Sequence, residues 1–250
     1  MKTMPNIELT DKELEILIEE SKFSYGGEAM VLRNNNPHTL YKIFTIPGTD
    51  IEAEMDDNKF RKIIRLYNSP LEGIVLPLST ISNRGKLIGY EMTYDEEDEC
   101  LLDVIMSDSE RTHFLHESKD ILLYFTSQDV TYGDVKDDNI LVNRRTGKVK
   151  FCDIDNIRLQ ELPIDIMGHG LTEYFEVVRR IDEKADAYMH NLLTIEQLKY
   201  NNLSHRAILN RLSANPLLVE FPEEAQKIFA TLCEPQNFNG EYAIQYIKRK

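Results

Sequence analysis

The chain contains no tryptophan and only three cysteines, Cys100, Cys152 and Cys233. They lie far apart and form no CxxC pair, which argues against a zinc site and a disulfide framework and fits a reducing compartment. No stretch approaches the ~18 consecutive apolar residues of a membrane span. The opening MKTMPNIELTDKE lacks the apolar core of a signal peptide. We therefore expect a soluble, cytoplasmic protein with no membrane contact. Basic residues are in deficit, 29 against 43 acidic, for a formal charge of −14. That balance argues against a nucleic-acid partner bound through a basic surface and against general electrostatic docking on anionic lipid. It leaves room for a local basic cleft. Internal repeats and low-complexity tracts are absent too, so nothing suggests a solenoid or a disordered tail.

What is present is enough apolar sequence for a core. At 250 residues and 42% hydrophobic content, the chain can form one large domain or two lobes. Thr10 and Glu13 form a capping box before LEILIEE, which predicts a helix over about 11–20. KFSYGGEAMVLR reads as strand, glycine turn, strand, and TLYKIF as a further strand with Leu40, Lys42 and Phe44 on one face. Residues 51–67 predict a helix with a Phe60, Ile63, Ile64, Tyr67 stripe and with Glu52 and Asp56 upstream on the same side. GIVLPLSTI and KLIGYEMTY, joined by SNRG, predict a hairpin. The first part is thus expected to be one main helix on an antiparallel sheet, over residues 1–94. The acidic run YDEEDEC marks the expected boundary. In residues 95–250 helices dominate: 110–127, 186–200, 205–212 and 223–233, with NILV and KVKF as a small hairpin around RRTG. Strands first and helices second predict an α+β chain in two lobes.

The polar stretch TYGDVKDDNILV concentrates chemistry just before an apolar strand. Asp134, Lys136 and Asn139 stand within six residues, and Asp153 follows in KFCDID. Singly, each has a plain reading as a solvated turn residue or a cap. Together, in this order and separated by a short hairpin, they suit phosphoryl transfer, whose loose and highly charged transition state needs positioning and electrostatic stabilisation. A carboxylate can orient an attacking hydroxyl, a lysine can neutralise the transferring group, and an amide with a second carboxylate offers the hard oxygens that Mg²⁺ prefers.

DVKDDNILV followed by FCDID resembles the catalytic loop and metal-binding segment of the protein-kinase fold, and the resemblance covers roughly residues 20–200. It implies a two-lobed kinase-like fold with a shortened, mostly helical second lobe, ATP and Mg²⁺ as cofactors, and a protein substrate. It casts Asp134 and Lys136 as catalytic, and Asn139 and Asp153 as metal ligands. SYGGEAMV is similar to a kinase glycine-rich loop, with Gly26 and Gly27 central, although a tight turn explains the glycines equally well. Lys42 resembles the strand lysine that contacts ATP phosphates. Val31, Leu40 and Leu141 would enclose the adenine, and Met92, Thr93 and Tyr94 would form the hinge at its edge. DAYMHNLLTIEQL looks like the helix that anchors the catalytic loop through an aspartate, here Asp186.

The departures are specific. Tyr132-Gly133 replaces the usual His-Arg pair, Asp155 takes the glycine position after Asp153, and Leu171-Thr172-Glu173 stands roughly where Ala-Pro-Glu would be. No helix carboxylate is assignable as partner of Lys42. The expectation is an atypical serine/threonine protein kinase. Its alternatives are a small-molecule phosphotransferase on the same fold and a nucleotide- or partner-binding pseudokinase. Cys152 reads as a buried strand residue. His169 and His190 lack metal-ligand partners, and His190 reads as packed core.

Overall fold

The computed structural model of the chain describes residues 2–25, 28–46, 52–159, 174, 178, 183–200, 203–214 and 218–248. Gly26, Gly27, His169 and the 171–173 triplet lie outside these residues. The protein is α+β and divides into two compact units, Met1–Asp98 and Glu99–Lys250. The division falls inside the acidic YDEEDEC run.

The first unit is built on six strands: β1 (Asn6–Leu9), β2 (Lys22–Tyr25), β3 (Ala29–Arg33), β4 (Thr39–Phe44), β5 (Pro77–Asn83) and β6 (Lys86–Thr93). Their order is β1-β5-β6-β4-β3-β2. An antiparallel sheet was expected, but β1 pairs with β5 in parallel, so the sheet is mixed. The short NIEL segment carries too weak an alternation to announce a strand. The sheet edge supplies its partner, with Asn6 opposite Thr80 and their side chains hydrogen-bonded at 2.9 Å.

Helix α1 (Asp11–Glu20) starts at the Thr10/Glu13 capping box, as expected. Its Leu14 packs with Met30, Leu32, Ile43 and Ile81 to form the core on one sheet face. The β5–β6 hairpin turns through Arg84 and Gly85, both at positive φ (51° and 73°), the two-residue geometry that matches strand twist.

Helix α2 (Asp57–Asn68) is shorter than the sequence suggested. Asp56 is its N-cap, accepting from the Asn58 and Lys59 amides, and Glu52 belongs to an extended bridge with Thr45. Residues 52–55 pair with strands instead: Ala53 N–H donates to Phe44 O and Met55 N–H to Leu87 O. The buried stripe is Lys59, Lys62, Ile63 and Leu66, rotated from the expected one. Phe60, Ile64 and Tyr67 are only half-buried.

The second unit contains α3 (Asp108–Ser127), α4 (Glu183–Leu198), α5 (His205–Ala214) and α6 (Glu223–Thr231). A second capping box, Ser107 with Glu110, starts α3. Strand β7 (Asp98–Cys100) begins at the boundary and joins β9 (Ile140–Asn143) and β10 (Lys148–Phe151) in the order β10-β9-β7. The β9–β10 hairpin around RRTG has the expected arrangement, with Gly147 at φ 70°. Strands β8 (Val130–Thr131) and β11 (Arg158–Leu159) pair antiparallel. Among the described residues no helix is long and apolar enough to cross a membrane.

Candidate active site

In the second unit, β8 runs out into the stretch Tyr132–Asn139, and a buried carboxylate fixes that stretch from below. Asp186, 1% exposed on α4, accepts from the Tyr132 and Gly133 backbone amides, each at 2.7 Å. These are backbone donors that no strand satisfies, and leaving them unmade would be costly. Burial outweighs the two hydrogen bonds and pushes Asp186 up to about 6. Gly133 sits at φ 83°, a conformation glycine takes without strain. Tyr132 is fully buried, its ring 4.6 Å from that of Phe151, and its hydroxyl donates to the Cys152 carbonyl. One residue therefore ties the loop to the segment that carries Asp153.

Asp134 is 5% exposed. Asn139 folds back on it from the short 3₁₀ turn Asp137–Asn139, its Nδ2 donating to the Asp134 carbonyl at 3.1 Å and to Oδ2 at 2.8 Å. Lys136 Nζ reaches the same Oδ2 at 3.3 Å and Asp138 Oδ1 at 3.6 Å. The other oxygen, Asp134 Oδ1, is buried without a hydrogen-bond partner. Burial raises the Asp134 carboxyl above its ordinary range, against the pull of Lys136 and with the help of the nearby Asp153 charge. For Lys136, burial favours the neutral amine, but Asp134 and Asp138 outweigh it and hold the ammonium above its ordinary value. The carboxyl is thus more basic than a solvated aspartate, and the ammonium beside it is held charged.

Asn139 O accepts from Cys152 N at 3.0 Å, so the loop and the following segment meet backbone to backbone. Asp153 holds a left-handed conformation, φ 57° and ψ 47°, unusual for a residue with a side chain. Such a conformation costs energy and persists only where the surroundings over-determine it. Because Asn139 commits its amide nitrogen to Asp134, its amide oxygen is the end left for a hard cation. That oxygen and the Asp153 carboxylate fit Mg²⁺ by donor type. Asp155 is 1% exposed, so its carboxylate does not point into solvent. Cys152 lies just past the end of β10 and is half-buried, not the buried strand residue expected. Its thiol is 3.9 Å from the Asp138 carbonyl. His190 is fully buried as expected, against Ser118 Oγ and the Leu115 carbonyl, both at 3.0 Å.

In the first unit, strand register sets the second group of residues. Val31 pairs with Lys42 and Lys42 with Tyr90, while Leu40 pairs with Met92. Directly paired residues share a face, so Val31, Leu40, Lys42 and Met92 lie together, opposite the α1 core. Lys42 is 8% exposed, with Nζ 5.6 Å from the Phe44 ring centroid and 6.0 Å from that of Tyr90. At the end of β6, Thr93 N–H donates to Leu76 O and Tyr94 N–H to His38 O. The donors of the expected hinge are therefore engaged within the unit. Leu141, in the other unit, is half-buried on β9, on the face opposite the buried Ile140 and Val142.

No family model and no curated protein matches the chain. The kinase resemblance accordingly rests on the sequence motifs alone.

Sequence reasoning missed the basic face of α2. Lys59 and Lys62 are 7% and 0% exposed, and the one acidic residue within the helix is Asp57 in its first turn. The signal existed in the spacing 59, 62, 63, 66, which is an i, i+3, i+4, i+7 stripe with lysine at its first two places. Asp137 was also missed. It accepts from Gln197 Nε2 at 3.2 Å, and burial together with Glu196 and Asp138 pushes it up to about 6.

Proposed function

We propose that the chain is an ATP- and Mg²⁺-dependent phosphotransferase of protein-kinase-like architecture, acting on a serine or threonine hydroxyl of a protein. One observation carries this reading: Asp134 is a buried carboxylate with Oδ2 held by Asn139 and Lys136 and Oδ1 without a partner. A buried polar oxygen left unpaired is costly, and a site for an incoming hydroxyl accounts for it. On this reading Oδ1 accepts the hydrogen bond of the acceptor hydroxyl, orients its oxygen for in-line attack on the γ-phosphorus and takes its proton as the new P–O bond forms and the bond to the β–γ bridging oxygen breaks, releasing ADP. Lys136, held by Asp134 and Asp138, offers its ammonium to the transferring phosphoryl group. Asn139 and Asp153 would hold the metal, which when bound neutralises charge on the phosphates. Lys42 anchors ATP, and Val31, Leu40 and Met92, which share its sheet face, supply apolar contacts to its base. Lysine two residues after the aspartate favours a protein acceptor over a small molecule.

The test is to incubate the purified protein with labelled ATP and Mg²⁺, with and without cell lysate, beside Asp134→Asn. Label on phosphoserine or phosphothreonine in the wild type alone supports the assignment. Label found only on a sugar, aminoglycoside or choline-like compound overturns the acceptor class while leaving Asp134 in its role.

A second reading, a nucleotide-binding module without turnover, is favoured by the absence of any glutamate from α2. Nucleotide binding by the wild type, with no phosphate transfer to any acceptor above the level of Asp134→Asn and of a protein-free control, would establish it.

A further inference from the structure

The stretch Tyr132–Asp137 is held to α4 at both ends. Asp186 accepts from the Tyr132 and Gly133 amides at one end, and Gln197 Nε2 donates to Asp137 Oδ2 at 3.2 Å at the other. The two anchors stand eleven residues apart on the helix. That is close to three full turns, so both side chains lie on one face, ~16 Å apart along the axis. Five residue steps of chain, from Tyr132 to Asp137, span at most ~18 Å, and Lys136 among them is extended. The reach of the loop and the spacing of its anchors therefore match. Gln197 is 6% exposed, and Arg111 on α3 sets its orientation, with Nη1 donating to Gln197 Oε1 at 2.7 Å. A guanidinium only donates, so the amide oxygen must face Arg111 and the amide nitrogen Asp137. Asp137 in turn opens the 3₁₀ turn that carries Asn139, whose Nδ2 reaches Asp134 Oδ2 at 2.8 Å.

We infer that Gln197 is a positioning residue for phosphate transfer: its amide, oriented by Arg111, clamps Asp137 and so aims Asn139 at Asp134. The inference rests on the phosphotransferase reading above and adds to it a residue that acts on the reaction only through Asp137 and Asn139. With the clamp released, the turn rotates and Asn139 leaves Oδ2. Asp134 then loses part of what keeps Oδ1 turned toward the acceptor hydroxyl. Nucleotide affinity rests on Lys42 in the first unit and is untouched.

The experiment measures the maximal rate and the ATP KM of label transfer from Mg²⁺–ATP to cell-lysate protein. It compares full-length wild type, Gln197→Glu, Asp137→Asn and the double variant Gln197→Glu/Asp137→Asn. Gln197→Glu keeps an acceptor for Arg111 but sets a carboxylate against Asp137. The double variant re-forms the bond in reverse, the new amide donating to the new carboxylate, at unchanged net charge. The inference expects Gln197→Glu to lower the maximal rate by about tenfold to a hundredfold, with the ATP KM within about twofold of wild type. Asp137→Asn, whose amide oxygen can still accept from Gln197, should stay within about threefold of the wild-type rate, and the double variant should recover to a similar level. A wild-type rate in Gln197→Glu overturns the inference and leaves the phosphotransferase reading standing. So does a double variant that is unfolded or about tenfold or more below wild type, and this arm decides even where Gln197→Glu itself does not fold. If the wild type transfers no label, the functional reading and this inference fall together.

Discussion

Asp134 shows how one residue can be well placed for chemistry and poorly placed for stability. Its carboxyl is buried and raised above the ordinary aspartate range, so ionising it costs the fold more than ionising a solvated aspartate would. Asn139 and Lys136 offset part of that cost at Oδ2, and nothing does so at Oδ1. Asp134→Asn should therefore leave the melting temperature unchanged or raise it. It should lower phosphate transfer by a factor of about 10²–10⁴, the usual worth of a positioned general base. Calorimetry and a single-turnover assay check the two halves. The same raised carboxyl places the acid limb of the kcat/KM profile above the pH at which a solvated aspartate would titrate. A limb at the ordinary aspartate value would show that some other group is the base.

At the level of elements, two close approaches hold the candidate residues in register. A Cβ added to Gly89 would lie 2.1 Å from the Lys42 carbonyl oxygen, which belongs to the backbone of the neighbouring strand and cannot swing away. Gly89→Ala should force β6 off β4 and destabilise the first unit by about 1–3 kcal/mol, with weakened ATP binding because Lys42 moves with its strand. Urea unfolding and a nucleotide titration test this, and an unperturbed Gly89→Ala would mean that the strands separate freely. In the second unit the comparable contact is between α4 and the loop. Asp186→Ala leaves the Tyr132 and Gly133 amides buried without an acceptor, a loss of about 2–5 kcal/mol. Asp186→Asn, which retains one oxygen, should recover part of it.

Across the whole molecule, two buried groups on α4 set opposing pH responses. His190 is pushed down to about 3, chiefly by burial, so the unfolded chain takes up a proton that the folded one refuses. Its contribution is present above about 6.5 and declines as pH falls, by about 1.4 kcal/mol per unit. Asp186, raised to about 6, works the other way. Its contribution is full below the ordinary aspartate value of 3.8 and is lost as pH rises through about 6. Between these values the two largely cancel. Asp186→Asn should remove one arm, so that wild type gains about 3 kcal/mol relative to the variant as pH falls from 6.5 to 4. Parallel denaturant titrations at several pH values measure the difference directly. Ligand linkage also acts on the whole chain. Mg²⁺–ATP at 100 times its dissociation constant should stabilise the protein by about 2.7 kcal/mol, and Lys42→Ala should abolish that shift at the same concentration. Absence of any shift in the wild type would remove the nucleotide site.

Local patterns were legible in the sequence because their physics is local. The Thr10/Glu13 cap, the SNRG and RRTG turns and the α+β order each depend on a few neighbouring residues, and each stands where the pattern put it. The grouping of Asp134, Lys136 and Asn139 was equally legible, since five residues of chain cannot separate them far. Other features were decided only by the tertiary structure. Strand β1 forms because a parallel edge was available to it, and residues 52–55 leave the helix because Phe44 and Leu87 offer carbonyls that a helical turn would compete for. The unpaired Asp134 oxygen, the Tyr132 hydroxyl on Cys152 and the Gln197 amide between Arg111 and Asp137 all depend on groups brought together from distant positions. Charge and desolvation act through space, so the sequence could specify which polar residues lie close along the chain, and only folding could specify which of them face one another.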